Sequence, residues 1–588
     1  MELFKNPLNL RFFYKLAFFL SFIGIGILIY DFGYTQNEAR QELVNIYYFI
    51  VLMIGMIATG IRYINKEKEL ELKVIVFDIL SSIVIMAVLI LHFSGIDQSS
   101  SNSYLYDDLW VKLAILLTFV RELSSLDINF SRAFLNPAQL FILSFIFIIL
   151  SGSFLLMLPN ATVKGISFVD ALFTSTSAVC VTGLAVVDTG TYYTHFGHYI
   201  IMFLIQIGGL GILTFTSFFS YFFKGESSFE NHLVLQDMTS SDKVGEVFKV
   251  LKNILLITFT IEFIGAALIY SSLDPQLIPN IYDRGFFSAF HSVSAFCNAG
   301  FSTLTNNLYE SGYQYNYFLH LNIITLLVLG GLGFQIVSNT LYYIKYKFLK
   351  AISPLTKQKI KYRPWIMNLN SRIIVITTFV LIVIGTVLLY ITEYNNSLAN
   401  HEGIGKWITA LFAATTPRTA GFNTVNMATL TDATLMITIL LMWIGASPGS
   451  TGGGIKTSTF AIAVLNFISL AKGKTRIELF RRQISENTVQ RAFAVIFLSL
   501  FVIGFGILAI LIFDGDKGLM NIAFESFSAY STVGLSVGIT GALTSASKYV
   551  LILLMFIGRV SMLSILIALF RKEKYKNYRY PSEDVLIN

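Results

Sequence analysis

Charge is scarce in this sequence. Only 13% of its 588 residues are Asp, Glu, Lys or Arg, about half the share found in soluble domains, so a water-soluble globular protein is a poor fit. Cysteine is scarcer still. Cys180 and Cys297 are the only two, too few for a disulfide framework or a CxxC metal site. The seven histidines are scattered and form no HExxH or comparable cluster, so they read as interfacial or packing residues, and the chain is not expected to be an enzyme. The net charge is +7, but the basic residues lie in short segments rather than on a long polar face, which argues against nucleic-acid binding.

The sequence also lacks a working phosphate loop. Residues 445–459 read GASPGSTGGGIKTST, and Gly449 and Gly454 have the separation of a P-loop, but Ile455 intrudes before Lys456 and Thr457. The required Gly-Lys-Ser/Thr order is broken, and no apolar run ending in Asp follows. A membrane-embedded ATPase is therefore the weaker reading of this stretch.

Apolar residues are what abounds, at 55% of the chain. Stretches near 20 residues recur, each able to cross a hydrocarbon core of roughly 30 Å as a helix. The first, Phe12 to Tyr30, has no small-residue cleavage site and reads as a retained helix.

A fourfold repeat organises the rest. The stretches SAVCVTGLAV, SAFCNAGFST, ATTPRTAGFNT and SAYSTVGLSV share a glycine, at Gly183, Gly300, Gly421 and Gly534, with separations of 117, 121 and 113 residues. An apolar span precedes each glycine (Gln139 to Leu158, Val250 to Leu273, Arg372 to Ile391, Phe493 to Phe513). Another follows it (Tyr199 to Phe223, Phe318 to Tyr343, Leu435 to Leu470, Tyr549 to Phe570). Between the first span and the glycine lies an amphipathic piece too short to cross a bilayer. Two crossings per repeat make the repeats parallel rather than inverted, and four like-oriented units most simply form a ring around one axis.

The expected fold is an all-α polytopic membrane protein with four parallel span, half-helix, loop, span repeats around one pore. The expected divisions are 1–134, an N-terminal region of about four extra spans; 135–247, 248–365 and 366–485, the first three repeats; and 486–588, the fourth repeat and a tail. Lysine and arginine follow the second spans, at Lys345, Lys347, Lys350, Lys357, Lys359, Lys361, Lys472, Lys474, Arg476, Arg481, Arg482, Arg571, Lys572, Lys574 and Lys576. They put those ends, and both termini, in the cytoplasm. The N-terminal region (12–30, 45–62, 74–94, 109–120) carries Asp78, Arg62 and Arg121 near helix ends. A voltage sensor needs a regular arginine series, so a structural or docking role is expected instead.

Irregular backbone at membrane depth is tolerated where it lines an aqueous path or is buried in protein. Four loops on one axis thus argue for a pore. They comprise Val179, Cys180, Val181, Thr182 and Gly183; Phe296, Cys297, Asn298, Ala299 and Gly300; Pro417, Arg418, Thr419, Ala420 and Gly421; and Tyr530, Ser531, Thr532, Val533 and Gly534. None is acidic, so a cation must be bound by backbone carbonyls that replace its hydration shell, which suits K⁺. The negative C-terminal ends of the half-helices favour a cation as well. Arg418 is expected behind the loops, paired with a neighbour such as Glu525; Cys180 and Cys297 are expected to pack there too.

These loops, with QIGGLGILTF at 206–215, LGGLGFQIV at 329–337, ASPGSTGGGIKTST and MFIGRV at 555–560, resemble the Ktr/Trk/HKT superfamily of K⁺ transporters, specifically the bacterial Ktr/Trk membrane subunit. The resemblance covers roughly residues 135 to 571. It implies that the four glycines belong to a K⁺ selectivity filter, that the protein is a homodimer in the bacterial cytoplasmic membrane, and that a cytoplasmic ring of nucleotide-binding regulatory subunits binds it in trans. ATP, ADP or NAD would act only through that partner, and no covalent cofactor is implied. SMLSI after Arg559 departs from the Gly-Pro pair common in relatives.

The glycine-rich stretch then reads as an intramembrane gate of Gly449, Ser450, Thr451, Gly452, Gly453 and Gly454. It interrupts the second span of the third repeat only. Each glycine costs about 1 kcal/mol in a helix, so the run is expected as a loop. Lys456 stands as an electrostatic obstacle to cations, and Arg559, as the resemblance implies, is placed to pair with loop carbonyls. The expected function is K⁺ uptake driven by membrane potential; the alternative is a cation symporter of the same fold carrying Na⁺ as well, and the coupling ion, if any, stays open between H⁺ and Na⁺.

Overall fold

A computed structural model describes residues 7–65, 72–93, 108–124, 137–222, 247–356, 367–560 and 565. It contains two compact units, residues 1–130 with 158–165 and residues 131–157 with 166–588. The basic positions at 357–361 and 571–576, and residues 561–564 of SMLSI, lie outside the described residues.

The first unit holds four helices: α1 (Pro7–Gly33), α2 (Glu38–Asn65), α3 (Leu72–Phe93) and α4 (Asp108–Ser124). Val51, Leu52, Ala114 and Ile115 form their buried seam. Charges inside this seam are paired. Asp31 meets Lys112 at 3.1 Å, Arg62 meets Glu122, and Arg121 donates to Asp78 at 2.7 Å while the Tyr63 hydroxyl donates to the same carboxylate at 2.7 Å. A buried charge is costly without such partners.

The second unit is built from four similar segments. The first has α5 (Pro137–Leu156), half-helix α6 (Phe168–Val179) and α7 (His195–Phe222). The second has α8 (Val247–Ser272), half-helix α9 (Ile281–Phe296), α10 (Tyr317–Leu332) and α11 (Phe334–Thr356). The third has α12 (Leu369–Glu393), half-helix α13 (Ile404–Thr415), α14 (Asp432–Trp443) and α15 (Thr457–Ala471). The fourth has α16 (Glu486–Asp514), half-helix α17 (Leu519–Tyr530) and α18 (Ser545–Val560). A short hairpin of β1 (Glu478–Leu479) and β2 (Arg482–Gln483) joins the last two segments.

Among the described residues, five helices are long and apolar enough to cross a membrane, and α10 with α11 forms a sixth candidate bent by 107°. Helix starts are capped: Ser167 accepts the Asp170 N–H at 3.2 Å, Asn280 that of Tyr282 at 3.0 Å and Asn316 that of Leu319 at 3.0 Å. Such caps satisfy amides that hydrocarbon would leave bare.

Small residues set the packing inside each segment. A Cβ on Gly152 of α5 would press on Ser175 of α6, and one on Gly265 of α8 on Ser292 of α9. Those serines donate to first-span carbonyls, Ser175 to Ile149 at 2.7 Å and Ser292 to Glu262 at 2.6 Å. Each half-helix also buries one phenylalanine fully, at Phe173, Phe290, Phe412 and Phe524. In lipid, where apolar burial drives little between helices, close approach and such hydrogen bonds hold spans together.

Each second span leans on the half-helix of the next segment. Tyr199 packs on Phe286 with ring centroids 4.8 Å apart, His320 on Phe412 at 5.6 Å, and Leu435 and Ile439 cluster with Phe524. Lys548 of the fourth segment pairs with Asp170 of the first at 2.8 Å. The segments therefore close a ring.

Candidate functional site

The four half-helices end alike. Two residues before each shared glycine, a residue other than glycine takes a left-handed backbone: Val181 (φ 58°), Asn298 (60°), Thr419 (71°) and Thr532 (50°). Few such residues adopt this region, least of all β-branched ones, so finding it at one position four times marks strain that the surroundings hold in place. The turn is a Schellman cap in three segments: the N–H groups of Thr182, Ala299 and Val533 reach back to the carbonyls of Ser177, Ser294 and Ser528 at 2.7, 2.7 and 2.9 Å.

The glycines that follow form a closed cycle. Their φ values are 93°, 70°, 79° and 90° for Gly183, Gly300, Gly421 and Gly534. A Cβ on Gly183 would strike the Ala299 carbonyl oxygen, one on Gly300 that of Ala420, one on Gly421 that of Val533, and one on Gly534 that of Thr182. Each glycine thus abuts the carbonyl that precedes the next glycine around the ring. Both the positive φ and this close approach require glycine.

Hydroxyls behind the loops anchor them. Ser177 Oγ accepts the Gly183 N–H at 3.0 Å and Ser528 Oγ that of Gly534 at 3.1 Å, while Ser294 donates to the Phe301 carbonyl at 2.7 Å and Thr416 to that of Phe422 at 2.5 Å. None of these four hydroxyls is among the loop residues expected from sequence. Their signal is a Ser or Thr six residues before each glycine, at Ser177, Ser294, Thr415 and Ser528, although in the third loop the anchoring hydroxyl is that of Thr416, five residues before Gly421.

Arg418 is buried behind its loop, as expected, but its partner is corrected. Its guanidinium reaches the Thr378 carbonyl and hydroxyl on α12, both at 3.4 Å. Glu525 is satisfied locally instead, by the Ser536 hydroxyl at 2.6 Å, the Thr540 hydroxyl at 2.9 Å and the Val537 N–H at 3.2 Å. Cys180 and Cys297 are both buried and are not joined in a disulfide.

One face of the ring opens into a cavity of about 310 Å³ lined by the four glycines together with Asp188, Asn306, Asn307, Asn423 and Asn426. The opposite face meets the glycine-rich stretch. The Gly453 N–H donates to Thr532 Oγ1 at 2.9 Å, and Gly452 lies so close to Thr419 that a Cβ would strike its hydroxyl. Residues 445–456 form a loop between α14 and α15, pinched where Ile444 bridges Ile455. Lys456 donates back to the Gly452 carbonyl at 2.7 Å. Arg559 of α18 donates to the carbonyls of Thr451 in the loop and Gly208 in α7. A side cavity of about 140 Å³ separates Gly449, Ser450, Thr451 and Gly452 from Ile254, Ile257 and Ile261 of α8.

The expectation that only the third second span is interrupted is overturned. The second breaks at Gly333 (φ 77°), where a Cβ would meet the Gly449 carbonyl at 2.7 Å, and the first leaves helical geometry at Gly211 (φ 35°, ψ −135°) beside Arg559. The glycine-rich loop thus sits among breaks in its neighbours. Other span glycines serve contact rather than bending. A Cβ on Gly208, Gly330 or Gly558 would strike the carbonyl of Val179, Phe296 or Tyr530, the last residue of a half-helix in each case.

Among the described residues no group of three His, Cys, Asp or Glu side chains is placed to hold a metal. What the site offers a cation is a ring of backbone carbonyls.

Residues 110–579 match the TrkH family, described as cation transport protein. The chain is 36% identical over 453 residues to the Ktr system potassium uptake protein B of Bacillus subtilis, covering 76% of this chain and 96% of the relative. It is also 36% identical over 466 residues to the potassium/sodium uptake protein NtpJ of Enterococcus hirae, covering 78% and 98%. The crystal structure of the potassium transporter TrkH from Vibrio parahaemolyticus superposes with a TM-score of 0.57 at 16% identity, over 85% of this chain and 97% of the other. The chain belongs to the TrkH family of cation transport proteins.

Proposed function

We propose that the chain takes up K⁺ across the cytoplasmic membrane through the ring of loops, with the backbone at Val179–Gly183, Phe296–Gly300, Pro417–Gly421 and Tyr530–Gly534 as the selectivity filter. The observation that carries this reading is the closed cycle in which each shared glycine abuts a neighbour's carbonyl. A dehydrated K⁺ exchanges its water oxygens for such carbonyls, and the absence of acidic side chains in the loops leaves the backbone to do it. The names of the two bacterial relatives support the same substrate. Inward movement of one cation gains about 2.3 kcal/mol per 100 mV of inside-negative potential, so uptake needs no ATP hydrolysis.

Residues 449–454 are the gate, held shut by Arg559 and Lys456. The cavity lined by Asn306, Asn307, Asn423 and Asn426 faces outward, and both termini are cytoplasmic, in keeping with the lysines and arginines after the second spans. The subunit works as a homodimer on a cytoplasmic ring of nucleotide-binding regulatory subunits, so nucleotide acts in trans.

The test is K⁺ and Na⁺ uptake in a K⁺-transport-deficient cell. Gly183→Ser and Gly421→Ser should each lower K⁺ preference over Na⁺, and unchanged preference in both would sink the filter assignment. A second reading, transport of Na⁺ alongside K⁺, draws on the name of the Enterococcus hirae relative. Fluxes of K⁺, Na⁺ and H⁺ in proteoliposomes at a set potential separate the two.

A further inference from the structure

One of the four glycine carbonyls is already engaged. Asn307 Nδ2 donates to the Gly300 carbonyl at 3.2 Å. The orientation of that amide is fixed independently, because Asn307 Oδ1 accepts the Leu308 N–H at 2.9 Å; the oxygen end is used, so the NH₂ end faces Gly300. Asn307 has a φ of 55°, a left-handed conformation that asparagine tolerates better than most residues. It opens the turn Asn307–Tyr309, whose Leu308 is fully buried. Among the described residues no side chain donates to the carbonyls of Gly183, Gly421 or Gly534.

We propose that Asn307 is a positioning residue that weakens the outermost cation site. This rests on the filter reading above. The amide N–H brings partial positive charge to one carbonyl of the ring and takes part of its lone-pair density, so a cation arriving from the 310 Å³ cavity, which Asn307 also lines, meets three fully available glycine carbonyls and one that is shared. The ring is thereby fourfold in backbone and unequal in field. Throughput needs a site that binds well enough to admit an ion and weakly enough to release it, and one donor on one carbonyl shifts that balance toward release.

The experiment is K⁺ uptake into proteoliposomes at fixed potential, read as KM and Vmax separately. Asn307→Gly removes the donor, adds no charge and keeps the positive φ accessible. Asn307→Asp removes the donor and keeps the oxygen that holds the Leu308 N–H, so the turn stays capped if the glycine variant folds poorly; because its carboxylate also attracts any cation, its KM is read at high ionic strength, where that attraction is screened. Both should lower the KM for K⁺, the glycine variant by about two- to tenfold, the range one neutral hydrogen bond covers. A merely structural role would lower Vmax or yield and leave KM in place. Gly300→Ser supplies the separating arm. If it leaves K⁺ preference over Na⁺ unchanged, the filter reading falls. If it alters that preference while Asn307→Gly and Asn307→Asp keep the parental KM, the role of Asn307 alone is overturned.

Discussion

Gly453 donates its backbone N–H to Thr532 Oγ1 at 2.9 Å, so the glycine-rich loop is tied to the carbonyl ring itself. Thr532 is one of the four left-handed residues of that ring, and its side chain is the acceptor. A loop bonded in this way cannot move without freeing a residue of the ring. Thr532→Val removes the acceptor at nearly constant shape, and the backbone tolerates it, since Val181 occupies the same place in the first loop at a φ of 58°. K⁺ flux without a regulatory subunit should rise about two- to tenfold, the span of one neutral hydrogen bond. Proteoliposome uptake checks this; parental flux would show that the bond does not contribute to closure.

Arg559 holds the same loop from the other side. Its two terminal nitrogens reach the carbonyls of Thr451 and Gly208, a fork that a lysine's single ammonium cannot reproduce. Arg559→Lys should therefore raise flux, and Arg559→Gln should raise it further, by about tenfold, as expected for losing charge-assisted hydrogen bonds. Equal or lower flux in both, with the protein folded, would reduce Arg559 to a packing residue.

The span motifs make a stability prediction. Gly208→Ala and Gly558→Ala place a methyl against the Val179 and Tyr530 carbonyls, backbone atoms that cannot turn aside, and should cost about 1–3 kcal/mol or more. Gly285→Ala in α9 meets nothing within 4 Å and should leave stability equal or slightly higher, because alanine is the better helix former. Thermal unfolding in detergent ranks the three. A Gly285→Ala loss as large as the other two would refute the close-contact account.

The repeat was legible because it has a steric cause: only glycine combines positive φ with such close approach to a neighbour's carbonyl, so Gly183, Gly300, Gly421 and Gly534 stand out at near-constant spacing. The half-helices were legible from their length. The hydroxyl anchors were not, since Ser177, Ser294, Thr416 and Ser528 sit among other serines and threonines and the third is displaced by one residue. The break at Gly333 was hidden by apolar flanks, Leu332 and Phe334, that read as one continuous span; LGGLG repeats QIGGLG and was its only trace. The partner of Arg418 was misjudged because pairing across the fold depends on which carboxylate is already satisfied. Glu525 is bound by Ser536, Val537 and Thr540 close by in sequence, and that left Thr378 to receive the guanidinium.

The charges of the N-terminal unit allow its role to be divided between packing and sensing. Asp78 accepts from both Arg121 and Tyr63 and is 1% exposed. Asp78→Asn leaves the Arg121 guanidinium without its carboxylate, and breaking a buried pair from one side costs about 3–5 kcal/mol. Replacing both partners, Asp78→Leu with Arg121→Met, removes the stranded charge and should recover most of that loss, because apolar residues of similar volume often match a buried pair. A packing role therefore predicts low thermal stability in the single variant, near-parental stability in the double, and the same dependence of K⁺ flux on membrane potential in both. A charge that senses voltage would instead change that dependence, by moving through a field worth about 2.3 kcal/mol per elementary charge per 100 mV. Flux measured over a series of potentials, normalised to folded protein, decides between the two.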